Sequence, residues 1–206
     1  MRAARPRRAL LILARHAQST LNLEHRVNGD PRVHVELTDE GVQQARRLGR
    51  QLAHVGIEAC VHTRFERTRR TAEIALEGRE VPFREEPRLD DIDVGLLEGH
   101  ATAEYRAWKR AHSRRALLPG GESLDGAAAR YARAFSDLAS TGAGVVLVLC
   151  HEIPLRYALN AGWGSDSLDE PVHDIPNATP FLFDGAVLER ASEAIDRILA
   201  ADVTAS

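Results

Sequence analysis

Three short apolar runs, widely spaced, govern what this chain can become. Residues 9–14 (ALLILA), 57–62 (IEACVH) and 145–150 (VVLVLC) have the length of buried strands, and the stretches between them place apolar residues at helical intervals. Strands that alternate with amphipathic helices predict an α/β fold, a three-layer sandwich with a mostly parallel central sheet and helices on both faces. Weaker strands are expected near 81–84 and 181–183. The clearest helix follows Thr38, an N-cap residue with Asp39 and Glu40 behind it, and sets Val42, Ala45, Leu48, Leu52 and Val55 along one stripe. Further helices are expected at 65–76, 103–112, 124–139, 155–161 and 190–200.

With 206 residues, 44% of them hydrophobic, the chain is expected to form one domain over 1–206, residues 1–8 being a flexible basic tail. Pro119-Gly120-Gly121 reads as a loop inside that domain. The 27 basic and 30 acidic residues leave a formal charge of -3, so no global field favours nucleic acid or an anionic membrane, and any anion site must be local. Cys60 and Cys150 each close an apolar run without a C-x-x-C spacing, as buried, reduced thiols of a cytoplasmic protein do. No apolar stretch approaches the roughly 20 residues needed to span a bilayer.

The first strand runs into Arg15-His16-Ala17-Gln18-Ser19-Thr20-Leu21-Asn22, which places a charged cluster at its carboxyl end, where open α/β sheets bind ligands. A guanidinium beside an imidazole suits phosphoryl transfer: the cation clamps phosphate oxygens while a neutral ring nitrogen attacks phosphorus. Taken alone, an Arg-His pair is more often structural. The strand VVLVLC, however, delivers a second histidine, His151, in the same position, followed by Glu152-Ile153-Pro154. The run 57–62 leads into Thr63-Arg64-Phe65-Glu66-Arg67-Thr68-Arg69-Arg70-Thr71-Ala72, where one arginine could turn back to the same edge while Arg64, Arg69 and Arg70 stay solvated. The other histidines show no metal-ligand spacing, and neither a metal nor a cofactor is expected.

In order along the chain these pieces read R-H-x-x-x-T/S-x-x-N, T-x-F-x-R-T-x-x-T-A, L-x-D-x-x-x-G-x-x-E-G, G-G-E-S and a strand ending in histidine. Over residues 11–177 the pattern resembles the histidine phosphatase superfamily, whose best-known branch is the cofactor-dependent phosphoglycerate mutases. The resemblance implies that His16 is the phosphorylated nucleophile, that Arg15, Arg67 and His151 surround the phosphate, and that Asn22 donates at its rim. It places the proton donor for the leaving oxygen at Asp91, with Asp90 and Asp93 as the neighbours to exclude. Asn28, Gly29 and Glu152, together with Arg32, Tyr105, Trp108 and Lys109, fall where the rest of the substrate would lie. The favoured reading of Tyr105 and Trp108 is that they pack a lid helix against the body, and that of Ser123 is the N-cap of the helix behind it.

The chain departs from the family pattern at three places. Ala17 and Glu152 stand where glycine is common, and Asp91 where glutamate is. A methyl at 17 is harmless only at negative φ. Glu152 would repel phosphate unless it pointed away or met a basic group of the substrate. The resemblance implies a phosphomonoester hydrolase acting on a small phosphorylated metabolite as a monomer or homodimer. The short segment 99–121 and the single lysine, Lys109, favour hydrolysis over mutase chemistry, whereas the three departures would also fit a phosphate-binding module without turnover.

Overall fold

The computed structural model describes residues 9–142 and 144–204, so the tail expected at residues 1–8 lies outside the described residues. Five strands form one sheet: β1 (Leu10–Arg15), β2 (Ala59–His62), β3 (Phe83–Glu85), β4 (Val145–Cys150) and β5 (Pro180–Asp184). Their order is β3-β2-β4-β1-β5, with every neighbouring pair parallel except β1 and β5. The three apolar runs are therefore adjacent central strands, and the two weaker strands are the edges.

Among the described residues there are seven α-helices: α1 (Thr20–Leu23), α2 (Asp39–Gln51), α3 (Glu66–Ala75), α4 (Thr102–Ala111), α5 (Leu124–Ala139), α6 (Glu152–Gly162) and α7 (Gly185–Thr204). The central strands are buried on both faces, and their side chains alternate between two cores. Leu11, Leu13, Val146 and Val148 pack with α5, α6 and α7, while Ile12, Ala14, Leu147 and Leu149 pack with α2 and α3. That alternation follows from the two-residue repeat of a strand and makes the three layers.

Thr38 and Ser123 both cap helices as expected, Thr38 Oγ1 accepting from Gly41 N–H and Ser123 Oγ from Gly126 N–H, each at 3.0 Å. The stripe of α2 buries Ala45 and Leu48, but the helix ends at Gln51, so the buried Leu52 is its C-cap and Val55 lies beyond it. Two expectations were too short. Helix α6 begins at Glu152 rather than 155, because Pro154 falls in the first turn, where its missing N–H costs nothing. Helix α7 runs from Gly185 to Thr204, well beyond 190–200 at both ends.

Candidate active site

Strands β1 and β4 are hydrogen-bonded neighbours in register, Arg15 opposite Cys150, so the residues that follow them, His16 and His151, leave the sheet side by side. Their ring centroids are 5.3 Å apart. Helix α3 starts at the same edge after β2 and puts Arg67 in its first turn, beneath the sheet edge and 4% exposed.

Arg67 is the hub. Its Nε donates to His16 Nε2 at 3.0 Å, and its Nη2 donates to His151 Nδ1 at 3.1 Å and to Asp91 Oδ2 at 3.2 Å. Its Nη1 donates to Asn28 Oδ1, and Nη2 also reaches the Asn28 carbonyl. The guanidinium lies over the Phe65 ring, 4.2 Å from its centroid, and that ring also meets His151 edge-on at 4.7 Å. Phe65 is thus a platform that fixes both groups, a role the sequence reading had not given it.

These contacts fix the His16 tautomer. His16 Nδ1 lies 2.7 Å from the Ala17 carbonyl, which only accepts, so the proton is on Nδ1 and the lone pair on Nε2. His151 Nδ1 lies 3.1 Å from Arg67 Nη2, and its Nε2 lies 2.9 Å from Thr63 Oγ1. Thr63 Oγ1 lies 2.9 Å from Thr68 Oγ1, which donates to the Phe65 carbonyl at 2.7 Å. A buried chain of polar contacts therefore runs from His151 through two threonines to the backbone. Burial first, then the positive charges of Arg67 and Arg15, hold His16 well below the ordinary histidine range. Burial, Arg67 and His16 do the same for His151.

Asp91, the expected proton donor, lies at this cluster. Besides Arg67, it faces His151 Nδ1 at 3.5 Å, and burial raises its pKa against the pull of Arg67. Asp90 is turned away and spent on Arg64, at 2.6 Å from its Nε, so Arg64, although exposed, is anchored rather than free. Asp93 is exposed and caps a turn through Gly95 N–H. The loop that carries Asp91 is held by Arg130, which donates to the carbonyls of Arg88, Asp90 and Asp91 and pairs with Glu122. Burial alone would lower the Arg67 pKa, and the net result is about 10, so it keeps its charge at neutral pH.

Arg15 lines the same cavity, its Nη1 bonded to the Ile175 carbonyl at 2.8 Å and to Glu152 at 2.9 Å. Glu152 neither points away nor waits for a substrate base: it is shared by Arg15 and Arg156, and its charge is cancelled before phosphate arrives. Among the described residues positive φ outside glycine occurs only at His25 and Ala178, so Ala17 is unstrained, and its N–H donates to Thr71 Oγ1 at 3.0 Å. Asn22 lines the cavity, its Oδ1 and N–H tied to Ser19 in a capping box and its Nδ2 unpartnered. Asn28 lines the cavity too, and Glu98 holds its side chain at 2.7 Å. Gly29 is not part of the lining: a Cβ there would sit 2.1 Å from the Ile92 carbonyl, so glycine serves the close approach of two loops. Arg32 pairs with Asp30 on the surface, outside the cavity.

The cavity measures about 590 Å³. Tyr105 is buried, Trp108 stacks on His112 while packing against the core, and Lys109 reaches the cavity. Both cysteines are buried and free, their thiols pushed up to about 12 by burial. Among the described residues no group of three or more His, Cys, Asp or Glu is placed to hold a metal ion, and no helix is long and apolar enough to cross a membrane.

Residues 11–179 match the profile of the histidine phosphatase superfamily, branch 1. A 2,3-bisphosphoglycerate-dependent phosphoglycerate mutase of Methylobacterium radiotolerans is 32% identical, covering 84% of this chain and 88% of its own. The solved structure of Bacillus stearothermophilus YhfR superposes with a TM-score of 0.73 at 26% identity, over 84% of this chain and 90% of that one. The alpha-ribazole phosphatase from Shigella flexneri shares the fold, with a TM-score of 0.72 at 21% identity over 84% and 89%.

Proposed function

The chain belongs to the histidine phosphatase superfamily, and on that premise we propose that it hydrolyses phosphomonoesters of small metabolites through a phosphohistidine at Nε2 of His16. The observation that carries this reading is the tautomer of His16: its proton is committed to the Ala17 carbonyl, and the free lone pair on Nε2 faces the cation cluster.

Phosphate enters between Arg15, Arg67, His151 and the Asn22 amide. The His16 lone pair is held by Arg67 until then, so substrate binding must move the Arg67 hydrogen bond from nitrogen to a phosphate oxygen. Nε2 then attacks phosphorus, the P–N bond forms as the P–O bond to the alcohol breaks, and the Asp91 proton goes to the departing alkoxide. The cations hold the charge that spreads over the equatorial oxygens. Water next attacks the phosphohistidine, its proton passes to the Asp91 carboxylate, and the P–N bond breaks to release phosphate and neutral His16.

Burial suits both histidines and Asp91 to this cycle, one set kept neutral and the other kept able to carry a proton. The unstrained Ala17 and the neutralised Glu152 speak against a site that has lost turnover. A mutase reading draws on the Methylobacterium radiotolerans relative. The short segment 99–121 and the single lysine favour hydrolysis. Incubating the protein with a nitrophenyl phosphate in excess chelator separates the possibilities. Release of one phosphate per nitrophenolate supports hydrolysis, transfer to an added alcohol in place of water supports a mutase, and no release defeats both.

A further inference from the structure

Glu152 is a carboxylate in the wall of a cavity built for anions. It is the first residue of α6, it lines the cavity beside Arg15, and its Oε2 lies 2.9 Å from Arg15 Nη1. A carboxylate so placed weakens a phosphate grip in two ways. Its charge repels the incoming phosphate, and its oxygens compete with phosphate oxygens for the same guanidinium.

The competition is held in check by Arg156, one turn further along α6. Arg156 Nη1 lies 3.3 Å from Glu152 Oε1, so the two carboxylate oxygens face different arginines. Arg156 is itself anchored, Nη2 donating to Asp169 Oδ1 at 3.0 Å and Nη1 to the His173 carbonyl at 3.2 Å. Asp169 is held in turn by Arg114, which pairs with Asp125 at 2.9 Å and donates to the Tyr157 hydroxyl at 3.0 Å. Cations and carboxylates thus alternate from Arg15 through Glu152, Arg156, Asp169 and Arg114 to Asp125, and the far end is fixed on α5.

The Arg15 guanidinium shows what this tether leaves free. Its Nη1 is committed to the Ile175 carbonyl at 2.8 Å as well as to Glu152. Its Nε, on the opposite side of the group, is buried with no hydrogen-bond partner. Buried polar groups are rarely left unpaired, and an unpaired N–H on a side chain that lines a cavity is ready for an acceptor. Nε and Nη2 form the edge through which a guanidinium grips two oxygens side by side.

We propose that Glu152 and Arg156 are a pair of positioning residues that set the strength of the phosphate grip. Glu152 clamps Nη1 and keeps the Nε edge of Arg15 aimed at phosphate, and Arg156 keeps Glu152 from closing over that edge. The weakened grip has a use in a hydrolase: binding substrate and product phosphate equally tightly speeds no chemical step, and a fixed carboxylate beside the site helps inorganic phosphate leave. That use rests on the phosphatase reading; the tether rests on the ion pairs alone.

Calorimetry with inorganic phosphate, which needs no turnover, tests the pair through a double-mutant cycle. Glu152→Gln keeps an oxygen for Arg15 but removes the charge, and phosphate should bind about threefold or more tighter. Arg156→Met releases Glu152 onto Arg15, and phosphate should bind about tenfold weaker. In that background Glu152→Gln should gain about thirtyfold, far more than it gains alone, because it removes a competitor as well as a charge. Arg156→Gln, which can still donate to the His173 carbonyl, replaces the methionine variant if that one does not fold. Equal gains from Glu152→Gln in both backgrounds would mean that the charges act independently through space, and would overturn the tether, as would weaker binding in Glu152→Gln alone. Nitrophenyl phosphate hydrolysis by the unaltered chain is assayed separately. The predicted coupling without hydrolysis keeps the tether and removes the phosphatase, and hydrolysis without the coupling does the reverse.

Discussion

The Nε of Arg67 donates to Nε2 of His16 at 3.0 Å, so the atom proposed as nucleophile is neutral and already engaged by the cation that will hold the phosphate. The contact has a consequence for pH. His16 must be unprotonated to attack, and burial, Arg67 and Arg15 hold its pKa well below 6.5. The phosphorylation step measured by rapid quench should therefore stay level as pH falls through 6.5. Arg67→Gln removes one of the lowering charges, and beyond slowing the step it should move the acid limb to higher pH. A wild-type limb at or above 6.5 would contradict the assignment.

The same burial affects stability. Both His16 and His151 have folded-state pKa values below those of the unfolded chain, so below about pH 6.5 the unfolded state binds protons that the native state refuses. Their stabilisation is present above the unfolded pKa and is lost as pH falls, at up to about 1.4 kcal/mol per pH unit for each histidine. Asp91, with its raised pKa, titrates in the opposite sense. Denaturant melts between about pH 7 and 5.5 should show a shallower slope for His151→Asn than for the unaltered chain. An unchanged slope would mean that His151 titrates normally.

Thr63 should prove a positioning residue. Its Oγ1 lies 2.9 Å from both His151 Nε2 and Thr68 Oγ1. Thr63→Val leaves a buried ring nitrogen unpaired, which should cost about 1–3 kcal/mol of stability and lower kcat by loosening the ring. Thr63→Ser should restore both. A valine variant as stable and active as the original would show that the chain does not matter.

Much of this site was legible in the sequence because it depends on strand ends. Apolar runs identify central strands, and a residue just past such a run must sit at the carboxyl edge, which brought Arg15, His16 and His151 together without any contact being known. Arg67 was harder, since four arginines lie within seven positions and only the entry angle of α3 decides which one is buried. Thr63, Phe65 and Glu98 stood in the motifs without a role and Arg130 outside them, because each acts through contacts across the fold that its residue type does not signal. Gly29 was misread for a related reason: a glycine demanded by the approach of two backbones looks in sequence like one left open for a ligand. Glu152 needed the position of Arg156, four residues on, whose own partner Asp169 lies in a distant loop.

Asp91 can be tested by its leaving group. An alkoxide needs a proton in the transition state, whereas a nitrophenolate departs without one. Asp91→Asn should lose a factor of about 10² to 10⁴ on an alkyl phosphate and far less in the first step with a nitrophenyl ester. Asp90→Asn, which frees Arg64 but leaves the acid in place, should show no such dependence on the leaving group. Equal losses on both esters for Asp91→Asn would move the acid elsewhere.

The central claim is that the phosphoryl group rests on Nε2 of His16, and acid-free trapping followed by peptide mapping tests it most directly. Brief incubation with a labelled phosphomonoester and denaturation in alkali should leave label on the peptide that contains His16. It should be stable in base, lost in acid, and absent from His16→Asn. Label on a serine, on Asp91 or on His151, or turnover that continues undiminished in His16→Asn, would contradict the account.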